Sequence, residues 1–267
     1  MQVLEFLSKK DIEKFIDKDA YDVINYLLKK VAFSQPEVKD KSELSGIQIT
    51  KEFLEDWIAQ ACDLKKKGAG NYPIDVYADK KYGIDVKFLT AKTNKNGEFL
   101  KTHSNETSLS QNFKLVGVSL DQMFEKKQHD EILSQWVKVL QTKLAKPVKD
   151  FQLRELFYFI FLRSGNKIYL SIARVDYLKL KKLSVNKATA TSIFVDNFIE
   201  SKYGNVKIYK SKKRMELRLL PHNLQKDDKL ICWDFENFYP DVISLKEIAK
   251  KGKLKKHIEE QYKKFFL

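Results

Sequence analysis

Two cysteines in 267 residues, Cys62 and Cys232, cannot build a disulfide framework, and neither has a partner at metal-type spacing. Both are expected to be free, buried thiols. Five prolines and nine glycines exclude a collagenous or low-complexity chain, and no internal repeat is visible. Long apolar runs are absent as well. The opening, MQVLEFLSKKDIEKF, lacks the uninterrupted stretch of a signal peptide, and charges break every later run before it could span a bilayer. A cytoplasmic protein with no membrane partner is therefore expected. Four histidines, His103, His129, His222 and His257, are scattered without zinc or dyad spacing and read as surface or loop residues. No glycine-rich phosphate loop, nucleophile elbow or kinase signature occurs.

What the chain does have is a core and a charge. Hydrophobic residues make up 43% and aromatics 12%, enough for one large domain. The formal net charge is +14, which speaks to partners rather than fold, and nucleic acid is the commonest cytoplasmic polyanion. The excess is concentrated: SKYGNVKIYKSKKRMELR, residues 201–218, carries seven basic side chains against one acid. The C-terminal KEIAKKGKLKKHIEEQYKK is similarly basic. Lysine dominates, so the few arginines stand out. Arg163, Arg174, Arg214 and Arg218 are candidate base readers, because arginine forms bidentate contacts with guanine. Lys210, Lys212 and Lys213 suit phosphate contacts.

Apolar spacing predicts one or two helices over 12–33, with Ser8 and Asp11 as a loose cap, then a loop at SQPEVKDKSELSG. Thr50 caps a further helix with the stripe Phe53, Leu54, Trp57, Ile58, Ala61 and Leu64, ended by KKKGAG. Residues 90–108 read as polar and irregular. A helix, broken near Gly117, is expected from about 109 to Pro147. LFYFIFLRSGNKIYLSIARV reads as a hairpin turning at Ser-Gly-Asn. TSIFVDNFIESKYG reads as helix, NVKIYKSKKRMELRLL as a strand pair, and KLICWDFENFY as a short strand whose Trp233, Phe235 and Phe238 are core. A basic helix closes the chain. The expected organisation is one α/β domain over 1–267. Its parts are an N-terminal helical part to about 45, a core at about 46–120 with sheet continuing to about 220, and a helical part from about 240.

One stretch is out of character. YPIDVYADKKYGIDVKF, residues 72–88, writes Asp75, Asp85 and Lys87 into a β-hairpin, although strands deplete Asp. Alternation puts Asp85 and Lys87 on one face and Ile84, Val86 and Phe88 on the other. Gly83 is available for a positive-φ turn, and an even register would bring Asp75 across to the same face. Converging carboxylates repel and raise a pKa. A hard divalent cation such as Mg²⁺ removes that problem. With a lysine beside it, the group could polarise a phosphodiester and stabilise its transition state.

These residues resemble the PD-(D/E)xK signature of the restriction-endonuclease-like nucleases: Pro73-Ile74-Asp75, nine residues, then Asp85-Val86-Lys87. The likeness covers roughly 50–120 and includes the helix before and the apolar run after. Pro73 stands two positions before Asp75 rather than directly before it. Gln111 is present, but Leu115 occupies the position of the Tyr in the longer motif of some branches. The resemblance implies a mixed β-sheet core flanked by helices, with added helical and β elements, and Mg²⁺ held by Asp75 and Asp85. Lys87 would assist catalysis, and the preceding helix would lend a Glu, which FLEDWIAQA identifies as Glu55, with Glu52 second. It further implies a type II restriction enzyme of a restriction-modification system, a homodimer hydrolysing double-stranded DNA at a short sequence. Two other readings remain open. One is a less specific repair or recombination nuclease of this fold. The other is a non-catalytic DNA/RNA-binding or ribosome-associated protein whose charges at 75, 85 and 87 are incidental.

Overall fold

Local chemistry accounts for most of the elements in the computed structural model, which describes all residues except 1, 41–45, 68–71, 95–97, 102–104, 112, 114–116, 118 and 236–240. His103, Leu115, Phe238 and the Gly-Ala-Gly of KKKGAG lie outside the described residues. The chain begins with a strand where only helix was expected: β1 (Leu4–Phe6) precedes α1 (Lys9–Ile12) and α2 (Lys18–Phe33). Ser8 and Asp17 cap the two helices, accepting from the backbone N–H of Asp11 and Ala20. Thr50 Oγ1 likewise accepts from Phe53 N at 3.4 Å to start α3 (Lys51–Ala61).

Next come β2 (Lys65–Lys66), β3 (Val76–Ala78), β4 (Tyr82–Thr90) and β5 (Asn105–Ser110). The helical stretch that follows is α4 (Leu120–Glu125) and α5 (His129–Phe151). Gly117, at φ +74°, lies before this pair rather than between two helical pieces, and the interruption falls between Glu125 and His129. Pro147 does not end α5; it is buried inside it, and the helix stops at Gln152, whose φ of 53° is left-handed. The second hairpin, β6 (Glu155–Ser164) and β7 (Lys167–Val175), turns at Gly165 (φ +57°) as expected.

Residues 191–204 correct the expectation of a helix. They belong to a run of strands, β8 (Ser184–Ala188), β9 (Ser192–Asp196), β10 (Gly204–Tyr209) and β11 (Arg214–Leu219). Within β9, Ile193 and Val195 are buried while Phe194 faces outward, a period of two that pairs with β10 and overrides helical spacing. The strand over 105–110 likewise corrects the irregular reading and removes the start of the helix expected from 109. The chain ends with α6 (Pro221–Lys226), β12 (Ile231–Asp234), α7 (Leu245–Lys250) and α8 (Leu254–Phe266).

The strands form two sheets rather than one. The first runs β1-β7-β6-β4-β3-β2, with β12 also on β7, and is mixed because β4 and β6 are parallel. The second, β5-β11-β10-β9-β8, is antiparallel. On one face of the first sheet, Val76, Ile84, Val86, Phe157 and Phe159 pack with Ile24 and Leu28 of α2 and Leu54 and Ile58 of α3. On the other, Tyr158, Ile160 and Leu162 share a core with Trp136, Leu140 and Leu144 of α5 and with Val206, Ile208 and Leu217 of the second sheet. The coarse expectation, an α/β chain with a mixed sheet flanked by helices, is met. Trp233 and Phe235 are core residues, as expected.

Two smaller readings change. His257 is buried and its Nε2 lies 2.7 Å from Glu37 Oε1, so it is no surface residue. Cys62 and Cys232 are free but only partly buried. Burial still pushes the Cys62 thiol up to about 12. Among the described residues, no helix is long and apolar enough to cross a membrane.

Candidate active site

The β3–β4 hairpin brings the expected charges together. Val76 pairs with Ile84, and Asp75, just before β3, is bound to the residues on either side of Asp85. The backbone N–H of Asp75 donates to Ile84 O at 2.8 Å, and its Oδ2 accepts from Val86 N at 2.7 Å. Gly83 is not in the turn. It sits inside β4 opposite Tyr77, where a Cβ would come within 2.8 Å of Leu153 Cδ1. Lys80, at φ 56°, makes the reversal instead. Ile84 and Val86 enter the core on the α3 side, which forces Asp85 and Lys87 to the opposite face. There Lys87 Nζ donates to Asp85 Oδ2 at 2.5 Å and lies 5.2 Å from the centre of the Tyr158 ring.

α3 supplies the rest. Leu54, Trp57 and Ile58 bury its apolar stripe, leaving Lys51 and Glu55 one turn apart on the adjoining flank. Lys51 Nζ lies 2.8 Å from Glu55 Oε1 and 3.3 Å from both carboxylate oxygens of Asp75. Glu55 is mostly buried at its side chain, whereas Glu52 is exposed, so Glu55 is the helix acid in the group. Burial, with the Asp85 charge adding to it, pushes the Asp75 carboxyl up to about 6 against the pull of Lys51 and the Val86 N–H. Burial works against the Lys51 charge, yet Glu55, Asp75 and Asp85 outweigh it and hold the ammonium above its ordinary value.

The group lies in a cleft of about 870 Å³. Its other wall is one face of α5, with Lys138, Thr142, Lys143 and Lys146 at helical spacing, and the end of β5 with Ser108, Ser110 and Gln111. Lys143 Nζ donates to Leu109 O at 2.9 Å. Burial, then the charge of Lys87, lowers the Lys143 pKa. Five lysines thus surround two aspartates in one concavity.

The basic candidates outside the cleft divide by face. Arg163 and Arg174 lie on the α3 side of the first sheet, away from Asp85 and Lys87. Arg163 donates to Ile47 O, Gln48 Oε1 and Thr90 Oγ1, and Arg174 pairs with Glu5 at 2.8 Å. Arg214 and Arg218 alternate on β11 with the core residues Met215, Leu217 and Leu219, on the face of Glu216, which is buried and paired with Ser108 at the cleft. Lys210, Lys212 and Lys213 pair with Glu125, Glu216 and Asp121 at 3.2–3.5 Å. Sequence reading missed Lys51 and Lys143. Lys51 carried a signal, being one turn before Glu55; Lys143 carried only its place in the polar stripe of α5.

Among the described residues, no three His, Cys, Asp or Glu side chains converge as a finished metal cage. The donor set nevertheless fits a hard cation that keeps much of its own shell: two opposed carboxylates, one strained by burial and its neighbour's charge, with a third acid nearby. At present an ammonium does that neutralising work. No protein-family model, curated protein or solved structure matches the chain.

Proposed function

We propose that the chain is a Mg²⁺-dependent endonuclease of the restriction-endonuclease-like kind, hydrolysing phosphodiester bonds in double-stranded DNA. Its finer assignment is a type II restriction enzyme that cuts a short specific sequence as a homodimer. The observation that carries this reading is the convergence of Asp75, Asp85 and Lys87 on one hairpin face inside a lysine-walled cleft.

Asp75 and Asp85 would hold the ion, with Glu55 at its margin. When bound, Mg²⁺ polarises the phosphate and lowers the pKa of a coordinated water. Asp75 must be ionised to bind it, and a carboxyl pushed up to about 6 meets that condition at neutral pH. Lys87 is fixed by Asp85 and Tyr158, so its charge stays beside the reacting phosphate and offsets the negative charge that grows as a P–O bond breaks. Lys138 and Lys146 on the facing wall add attraction for the DNA backbone.

The test is incubation of the purified protein with phage-length DNA and Mg²⁺. Discrete fragments support restriction. A smear leaves hydrolysis standing and removes sequence specificity. Intact but bound DNA favours the non-catalytic reading, and intact unbound DNA overturns both.

A further inference from the structure

Lys143 is a partly buried charge that hydrolysis at Asp75, Asp85 and Lys87 does not use. Among the described residues its ammonium makes one hydrogen bond, to Leu109 O at 2.9 Å, which leaves two N–H groups. Leu109 separates Ser108 and Ser110 on β5, and both serines line the same cleft. Among the described residues their buried hydroxyl oxygens have no hydrogen-bond partner, and Ser110 is only 4% exposed. Buried hydroxyls are ordinarily satisfied, so two orphans flanking the carbonyl that holds the Lys143 ammonium call for an explanation.

The charges around Lys143 sharpen the point. Lys87 faces it as a like charge, with Lys51 further cationic, while Asp75 and Asp85 pull the other way without ion-pairing it. Lys87 has Asp85 as its counter-charge, whereas among the described residues Lys143, lining the same cleft, has no carboxylate of its own, and a partly desolvated ammonium is costly without an anion. The group offers up to two N–H and two O–H donors, and the carboxylate nearest it in register, Glu216 across from Ser108, is already paired with Lys212 at 3.3 Å. That is donor chemistry for a singly charged tetrahedral oxyanion.

We propose that Lys143, Ser108 and Ser110 form a second phosphate subsite, which holds a backbone phosphate of DNA next to the phosphate being cleaved. This deepens the hydrolytic reading and takes its substrate class from it. The subsite fixes where the strand lies across the cleft, so Lys143 is a positioning residue rather than a catalytic one.

The experiment measures binding of a fluorescein-labelled, mixed-sequence 20-base-pair duplex by anisotropy, in EDTA, over a range of NaCl. Lys143→Met is expected to weaken binding about tenfold. It should also reduce the slope of log affinity against log salt by about 0.9, the share of one phosphate contact. Lys143→Arg should keep the slope. The double variant Ser108→Ala/Ser110→Ala should weaken binding about threefold with the slope unchanged, because no charge is lost. Thermal melting checks that each variant is folded. Wild-type affinity and slope in a folded Lys143→Met overturn the subsite. If that variant does not fold, wild-type affinity in the serine double variant overturns it. The two proposals can fail separately. Metal-free binding that depends on Lys143, with no cleavage in Mg²⁺, keeps the subsite and removes hydrolysis. Cleavage with Lys143-independent affinity does the reverse.

Discussion

Val86 N donates to Asp75 Oδ2 at 2.7 Å, so the first acid of the hairpin is clamped across the strand directly beside the second. This one bond ties the carboxylate to β4 and hence to Asp85 and Lys87. It also means that Asp75 cannot swing into solvent to relieve repulsion from Asp85 or the penalty of burial. Protonation or a nearby cation, here the Lys51 ammonium, relieves them instead.

Asp75 therefore makes stability depend on pH in an unusual direction. Its folded value, about 6, lies above its ordinary 3.8, so folding favours the protonated form. The penalty for the charged form is complete above about pH 6 and fades as pH falls towards the unfolded value. Asp75→Asn is expected to melt higher than wild type at pH 7.5 in EDTA and to lose that advantage near pH 4. Mg²⁺ should raise the wild-type melting temperature at pH 7.5 and leave the variant unmoved. Equal Mg²⁺ shifts in both proteins contradict the assignment.

Lys51 is the resident counter-charge of this group. Replacing it with Met leaves Glu55 and Asp75 facing each other without the ammonium 2.8 Å and 3.3 Å away. Metal-free Lys51→Met should be less stable than wild type at pH 7.5, by roughly 1–3 kcal/mol, the scale for orphaning a buried polar group. Mg²⁺ should restore a larger share of stability to it than to wild type. Denaturant melts with and without Mg²⁺ test this, and a Mg²⁺ response no larger than that of wild type counts against it.

Calcium separates binding from turnover. Its larger, looser shell suits the carboxylates but acidifies water less than Mg²⁺ does. Ca²⁺ should tighten DNA binding and support no cleavage. Rapid cutting in Ca²⁺ with Mg²⁺ rigorously removed would refute the proposed division of labour.

On the proposed hydrolytic reading, the single Asp75–Asp85–Lys87 group of each chain would cut one strand. Two copies related by a two-fold axis would cut both strands of a symmetric sequence. Helices before Thr50 and after Leu120 offer the contact area. Sedimentation of the protein–DNA complex should give two protomers per duplex, and sequencing of cut ends should give a symmetric site. One protomer at an asymmetric cut removes the dimer while leaving hydrolysis in place.

How much of this was legible before folding varies by element. The face shared by Asp85 and Lys87 follows from strand alternation alone, and Thr50 announced α3 by its capping chemistry. Register was not legible, because the turn falls at Lys80, a residue with no turn preference to read, rather than at Gly83. The second sheet was obscured for a different reason. Ile193, Val195, Phe198 and Ile199 are spaced so that helix and strand fit equally over so short a run, and only pairing with β10 decides. Lys143 reaches the site through tertiary packing of α5 on the sheet, which no local pattern encodes.

The central claim is that Asp85 and Lys87, held 2.5 Å apart on β4, perform Mg²⁺-dependent phosphodiester hydrolysis. The most direct measurement compares cleavage of phage-length DNA in Mg²⁺ by wild type, Asp85→Ala and Lys87→Ala, with DNA binding and thermal melting recorded for each. The account predicts cleavage by wild type, at least about a thousandfold loss in both variants on the scale of removing a key transition-state contact, and folded proteins that still bind DNA. Wild-type-like cleavage by either variant, or no cleavage by wild type under conditions where it binds DNA and Mg²⁺, would contradict it.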